Sequence, residues 1–337
     1  MKAVKLSAPR SELEIVEIPV PTASAGEIVV KIEASGVCYT DIHICDGDWG
    51  VVDGLIKRDL TIGHEAVGIV TEVGEGVTEV AVGQRVAAPF QRSFCGTCKM
   101  CRKGLTNICR TPTAIGMTHD GSHAEYLLVP GDAVVAVPDG VSPEQAAPLA
   151  CAGLTVLGAL RNAKVTLGTR VGIVGVGGQG HLGVQLAKAM GATVVAMDID
   201  AAKLSLATEL GADRCFDVSD PAVIPEIIGL GLDVVVVTAP SDAAHQLAVA
   251  VVDFGGTISL CAVPTAETPL SMTLIIFKGI TLIGQAVATK QELVDTLELA
   301  AAGKLRCVVE TRPLSSALQA IKEVRNFNQV GRIVLTP

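Results

Sequence analysis

The stretch that decides the fold is RVGIVGVGGQGHLGVQLAKAMGATVVAMD, Arg170 to Asp198. A β-branched run leads into clustered glycines, helix formers follow as far as Gly191, and a second β-branched run closes the stretch. Gly175, Gly177 and Gly180 make G-x-G-x-x-G, with Gly178 inside the loop and Gly183 beyond it. Only glycine lets a backbone turn this tightly and approach a pyrophosphate, whose charge then sits at a helix N-terminus. Asp198 lies 23 positions after Gly175, near the spacing of a carboxylate that accepts from an adenosine ribose. Such a carboxylate repels a 2′-phosphate, so the loop is read as a site for NAD rather than NADP. Asp200, past the strand end, is read as a helix cap.

Downstream, AAKLSLATELG is a helix closed by Gly211, and LDVVVVTA, FGGTISLCAV and ITLIGQAV are further buried strands. Strands alternating with helices imply βαβ units and a doubly wound parallel sheet. Upstream the texture differs. Short apolar runs alternate with turns in EIVVKIEASGVC, HEAVGIVTEVGEGV and SHAEYLLVPG, which predicts an antiparallel β domain. SPEQAAPLACAGLTVLGAL predicts a helix that opens at Ser142 and Pro143. After Thr289 an amphipathic helix, QELVDTLELAAAG, leads into a tail ending VGRIVLTP. The expected fold class is therefore α/β: a β-rich domain over residues 1–151 and 286–337, and an inserted nucleotide domain over 152–285.

Composition narrows the function. The chain has 337 residues, 49% of them apolar and 3% aromatic, so the core is built from aliphatic side chains. A formal charge of −9 without a Lys/Arg cluster gives a nucleic-acid role no support. The N-terminus is too charged for a signal peptide, and the longest uncharged run is glycine-rich and carries His181, so no membrane partner is expected. The default location is the cytoplasm, where dense cysteines favour metal over disulfides.

Ten cysteines must be shared out. Cys95, Cys98, Cys101 and Cys109 crowd into FCGTCKMCRKGLTNICR. Four thiolates close a tetrahedral zinc and leave no place for substrate, which is the signature of a structural site. An iron–sulfur cluster is the rival for four cysteines, but its spacings differ. Cys38, His64 with Glu65, and Cys151 could supply the three ligands of an open, catalytic zinc. Spacing alone does not join residues so far apart. Taken singly, the two cysteines read as small buried hydrophobes and the histidine as a hydrogen-bonded turn residue.

Together these features resemble the zinc-dependent medium-chain alcohol dehydrogenase family, nearly end to end. GHEAVGIVTEVGEGV resembles the family's zinc signature, GVCYTDIHICDGDW the segment of its first zinc cysteine, CAGLTV that of its last, and the cysteine run its structural-zinc lobe. The resemblance implies a GroES-like catalytic domain beside a Rossmann domain, two Zn2+ per chain and NAD. It implies Cys38, His64 and Cys151 as catalytic-zinc ligands, with Asp41 orienting His64 and Glu65 able to exchange with zinc-bound water. A proton would travel through Thr40 and the cofactor ribose to His43 at the surface. Lys203 resembles a lysine near the adenosine ribose and Arg332 a pyrophosphate arginine. Thr155, Thr238 and Val263 align beside the nicotinamide, and Trp49 and Phe90 line the substrate pocket. Tyr39 stands where many relatives carry a basic residue, and Cys45, Cys215, Cys261 and Cys307 are left as free thiols.

The expected activity is interconversion of primary or secondary alcohols with aldehydes or ketones. HICDGDW resembles the microbial and yeast-type branch and favours small open-chain alcohols. A polyol or amino-alcohol dehydrogenase uses the same scaffold. A non-catalytic zinc- and nucleotide-binding redox sensor is the reading from another class, and it would not need Thr40 and His43. A zinc-free reductase of the superfamily would lack both cysteine sets. A homo-oligomer is implied, a tetramer before a dimer, paired through the nucleotide domains.

Overall fold

A computed structural model of the chain describes residues 1–50, 52–327 and 329–337. The chain divides into two units, one of Met1–Leu154, Ala288–Gly303 and Cys307–Pro337, the other of Thr155–Val287 and Lys304–Arg306.

The first unit is built on a seven-stranded sheet. At its centre β1 (Glu27–Val37) pairs antiparallel with β2 (Glu65–Val73), setting Gly36 opposite Glu65. On the other side of β1 runs the strand Arg332–Thr336, also antiparallel, with Ile333 opposite Val37. The C-terminal end of β1 thus lies between Glu65 and Arg332. A Cβ at Gly36 would collide with the Glu65 carboxylate, so glycine is what leaves that side chain room. The expectation of an antiparallel domain holds except at Val309–Pro313, which pairs parallel with Arg332–Thr336 across the helix Ala317–Arg325. A helical crossover is what a parallel pair requires.

Immediately after β1 comes the short helix α1 (Tyr39–Asp46), whose first-turn Asp41 accepts from the Cys38 N–H at 2.9 Å. Ile42 and Ile44 anchor it in a core shared with Leu6, Leu60 and Ile62. The helix expected to run unbroken from Ser142 is in fact interrupted. Ser142 caps Pro143–Ala146, Ala147–Ala150 tighten into a 3-10 turn, Cys151 leaves helical geometry (φ −135°, ψ −67°), and Ala152–Asn162 resumes. Pro148 has no N–H to give, so the α-helical bonding of Pro143–Ala146 is not continued through it, and the chain tightens into the 3-10 turn that ends at Cys151.

The second unit is the doubly wound sheet. Its strands β3 (Arg170–Val174), β4 (Thr193–Asp198), β5 (Arg214–Asp217), β6 (Leu232–Val237), β7 (Val252–Leu260) and β8 (Thr281–Gly284) lie in the order β5-β4-β3-β6-β7-β8, all parallel. That order places the topological switch point between β3 and β6, beside the glycine loop. Val174, Val195, Met197, Val235 and Val237 pack into one core, as the aliphatic runs predict. The helix α2 (Gly180–Ala189) follows the loop, and α3 (Ala201–Glu209) is capped by Asp200, which accepts from the Ala202 and Lys203 N–H groups. Among the described residues no helix is long and apolar enough to cross a membrane.

Candidate metal and dinucleotide sites

Cys38 caps α1, His64 immediately precedes β2, and Cys151 sits at the helix break, so three separate elements aim at one point. The ligand atoms of Cys38, His64, Glu65 and Cys151 lie within 4.8 Å of one another, and all four residues are buried. Asp41 Oδ1 is 2.9 Å from His64 Nδ1. A carboxylate here can only accept, so Nδ1 carries the ring proton and Nε2 offers a lone pair. Among the described residues that Nε2 is buried with no hydrogen-bond partner, a costly state unless something coordinates it. Two buried sulfurs and one imidazole nitrogen form a donor set that suits zinc, and the cluster fits the metal on these grounds.

The Cys151 hydrogen bond, helped by His64, overrides burial and holds the Cys38 thiol well below its ordinary value, while Cys151 itself is pushed up by the bond to Cys38 and by burial. Burial opposes a charged His64, but the Asp41 carboxylate prevails and keeps it well above the usual imidazole value. Burial pushes the Glu65 carboxyl up to about 8 despite its ion pair with the Arg332 guanidinium. Arg332, expected at a pyrophosphate, is itself buried on Glu65. Burial works against its cation, and Glu65 more than offsets it.

Thr40 and His43 share α1, one turn apart, as their spacing suggests. His43, however, is not at the surface: it is 3% exposed. The Tyr39 ring meets it edge-on at 4.9 Å, Trp49 lies against it at 5.2 Å, and its Nδ1 donates to Asp48 Oδ1 at 2.7 Å. Tyr39 and Trp49, both in GVCYTDIHICDGDW, cover the ring, which corrects the expectation of a surface histidine. Phe90 packs edge-on against His64 at 5.3 Å, so both pocket aromatics touch residues of interest. Tyr39 stacks on Phe327 at 4.8 Å.

Cys95, Cys98, Cys101 and Cys109 bring their sulfurs within 4.8 Å of one another, without a disulfide. Backbone N–H groups of Cys95 and Thr111 donate to the Cys109 sulfur and that of Cys98 to the Cys95 sulfur, at 3.3–3.4 Å. The Cys98 amide, followed by the Thr97 amide and hydroxyl, lowers the Cys95 thiol to about 5. Backbone donors aimed at sulfur favour thiolates, so this lobe too fits zinc.

In the second unit the glycines divide the work. Gly175 has φ +90° and Gly180 abuts the Gly175 carbonyl, where a Cβ would collide. Gly177 faces open space, and Gly177 and Gly178 lead into α2. This leaves a cradle a phosphate could enter. Asp198 accepts from the N–H groups of Val176 (2.6 Å), Ile199 (2.8 Å) and Asp200 (3.1 Å), so its carboxylate is fixed at the end of β4. Thr238 Oγ1 donates to the Gly175 carbonyl at 2.5 Å. Lys203 pairs with Asp200 at 3.9 Å, Thr155 is buried, and Val263 is about half exposed. Sequence reasoning missed Asp48, although it lies inside GVCYTDIHICDGDW, and it missed Ser35, Ser122 and His123, which the fold brings up to Asp41.

Residues 24–139 match the model of the alcohol dehydrogenase GroES-like domain, and residues 178–302 that of the zinc-binding dehydrogenases. The chain is 40% identical to an alcohol dehydrogenase of Geobacillus stearothermophilus, over 99% of each chain. It superposes on the solved alcohol dehydrogenase of Aeropyrum pernix with a TM-score of 0.92, 31% identity and complete coverage of both chains. It superposes on the acetophenone reductase of Geotrichum candidum in complex with NAD with a TM-score of 0.89 and 28% identity, covering 100% of this chain and 97% of that one. The chain belongs to the zinc-dependent medium-chain alcohol dehydrogenase family. It is an oxidoreductase of that class, working on small molecules, with zinc and NAD as its cofactors.

Proposed function

We propose that the chain interconverts small open-chain primary or secondary alcohols with aldehydes or ketones at a site held by Cys38, His64 and Cys151. The observation that carries this reading is the buried His64 Nε2, without a hydrogen-bond partner among the described residues, beside two buried cysteine sulfurs. A zinc held there supplies a Lewis acid that lowers the pKa of an alcohol, and NAD supplies the hydride acceptor. The protein's own residues do the rest. Asp41 fixes the tautomer and direction of His64. Phe90 and Trp49 close apolar surface over the reacting carbon. Thr40 takes the proton, and His43 carries it outward. His43 gives up its Nδ1 proton towards Asp48, whose side chain is 21% exposed and so reaches solvent where the histidine cannot.

Glu65, paired with Arg332, lies close enough to Cys38 and His64 that it would be able to serve as an alternative ligand to a zinc held there. Cys95, Cys98, Cys101 and Cys109 hold a second, structural zinc. The glycine loop takes the pyrophosphate of NAD and Asp198 its adenosine ribose, with Lys203 near by, and Thr155, Thr238 and Val263 flank the nicotinamide. The reading places the protein in the cytoplasm as a homotetramer. Assembly is supported by β8 at the sheet edge and by exposed Ile276 (69%), Phe277 (79%) and Leu282 (40%) near it.

An NAD-coupled absorbance screen over primary, secondary and polyol alcohols, with and without chelator, tests the proposal. Turnover of short alcohols that a chelator abolishes is expected. Preference for a polyol, or turnover indifferent to chelation, would contradict it.

A further inference from the structure

His123 lies in the first unit, outside every motif, and is fully buried. Its Nδ1 is 2.8 Å from Ser35 Oγ, which is 2.7 Å from Ser122 Oγ, and both serines are buried. Its Nε2 faces Asp41 Oδ2 across 3.6 Å and has no hydrogen-bond partner among the described residues. One arrangement uses every donor: Ser122 donates to Ser35, Ser35 donates to His123 Nδ1, and the ring proton on Nε2 points at the carboxylate. The reverse tautomer would set a lone pair against a buried anion.

Asp41 is the hub of this chain. Its Oδ1 accepts from His64 and its Oδ2 from the Cys38 N–H, so one carboxylate orients two of the three proposed ligands. The backbone repeats the link. Gly121, Ser122 and His123 donate in turn to the carbonyls of Thr61, Gly63 and Ile62, the three residues leading into His64. Gly63 has φ +94°, and a Cβ there would run into His123. Ring and glycine fit each other directly beneath the ligand turn.

We infer that His123 is a positioning residue for the metal site: through Asp41 it holds His64 and Cys38 in the geometry that binds zinc. The inference rests on the reading of Cys38, His64 and Cys151 as zinc ligands. Outer partners of metal ligands change affinity by roughly 10- to 100-fold. The test follows zinc release from the full chain into 4-(2-pyridylazo)resorcinol, in which Cys38→Ala identifies one of two release phases by removing it. His123→Leu should speed that phase about tenfold and leave the cysteine-lobe phase unchanged, and His123→Gln, which can donate to Asp41, should restore most of the wild-type rate. Equal acceleration of both phases, or none, would overturn the inference. Should His123→Leu fail to fold, Ser35→Ala must speed the same phase by a smaller factor, and an unchanged rate would overturn it equally. A wild-type protein with no phase sensitive to Cys38→Ala would instead refute the metal assignment, before His123 is reached.

Discussion

Asp48 and His43 meet at 2.7 Å between Tyr39 and Trp49, so the carboxylate fixes the tautomer of the histidine, and in the proposed relay it is the way out to water. Asp48→Asn should lower kcat roughly tenfold or more, with Asp48→Glu recovering part of it and the melting temperature nearly unmoved. Equal kcat in the Asn variant would show that His43 does not release its proton there. Asp198 is held by three N–H groups at the end of β4. Asp198→Ala should move the ratio of kcat/KM for NADP over NAD upward on the order of tenfold, measured with both cofactors, and an unchanged ratio would count against its ribose role. These two aspartates differ in legibility. Asp198 could be found by counting from a glycine, because a strand and loop of fixed length separate them. Asp48 and His123 could not, because no local period links them to their partners.

At the scale of elements, the glycine loop was readable because each glycine answers a backbone demand: a positive φ at Gly175, contact at Gly180, open space at Gly177. The cysteine lobe was readable because its ligands are local in sequence. The break at Cys151 was not. Its flanking residues are good helix formers, and Pro148 with the surrounding core decides against them. Burial of His43 was missed because the rings of Tyr39 and Trp49 cover it from either end of the helix, an arrangement that spacing in sequence does not reveal. Phe94, Leu105 and Ile108 on the lobe are exposed rather than packed in a core. Cys98→Ser should therefore remove one zinc per chain and lower the melting temperature by about 5–10 °C, while turnover at 25 °C persists. Calorimetry and metal analysis on the same sample check this, and loss of turnover at 25 °C would give the lobe a larger role than scaffolding.

For the whole molecule, one chain supports two metal clusters of opposite character. The lobe cysteines are close in sequence and their sulfurs accept from backbone N–H groups, whereas Cys38, His64 and Cys151 converge from the ends of β1 and β2 and from an interrupted helix. The scattered set could be suspected from sequence only through resemblance, because its members are brought together by the register of β1 against β2 and by the kink at Cys151. Zinc content by inductively coupled plasma mass spectrometry, measured together with turnover on wild type and Cys38→Ser, tests the central claim most directly. The account predicts two zincs per chain falling to one, with turnover abolished and the cooperative melt retained. Two zincs still bound in Cys38→Ser, or turnover at the wild-type rate, would contradict it.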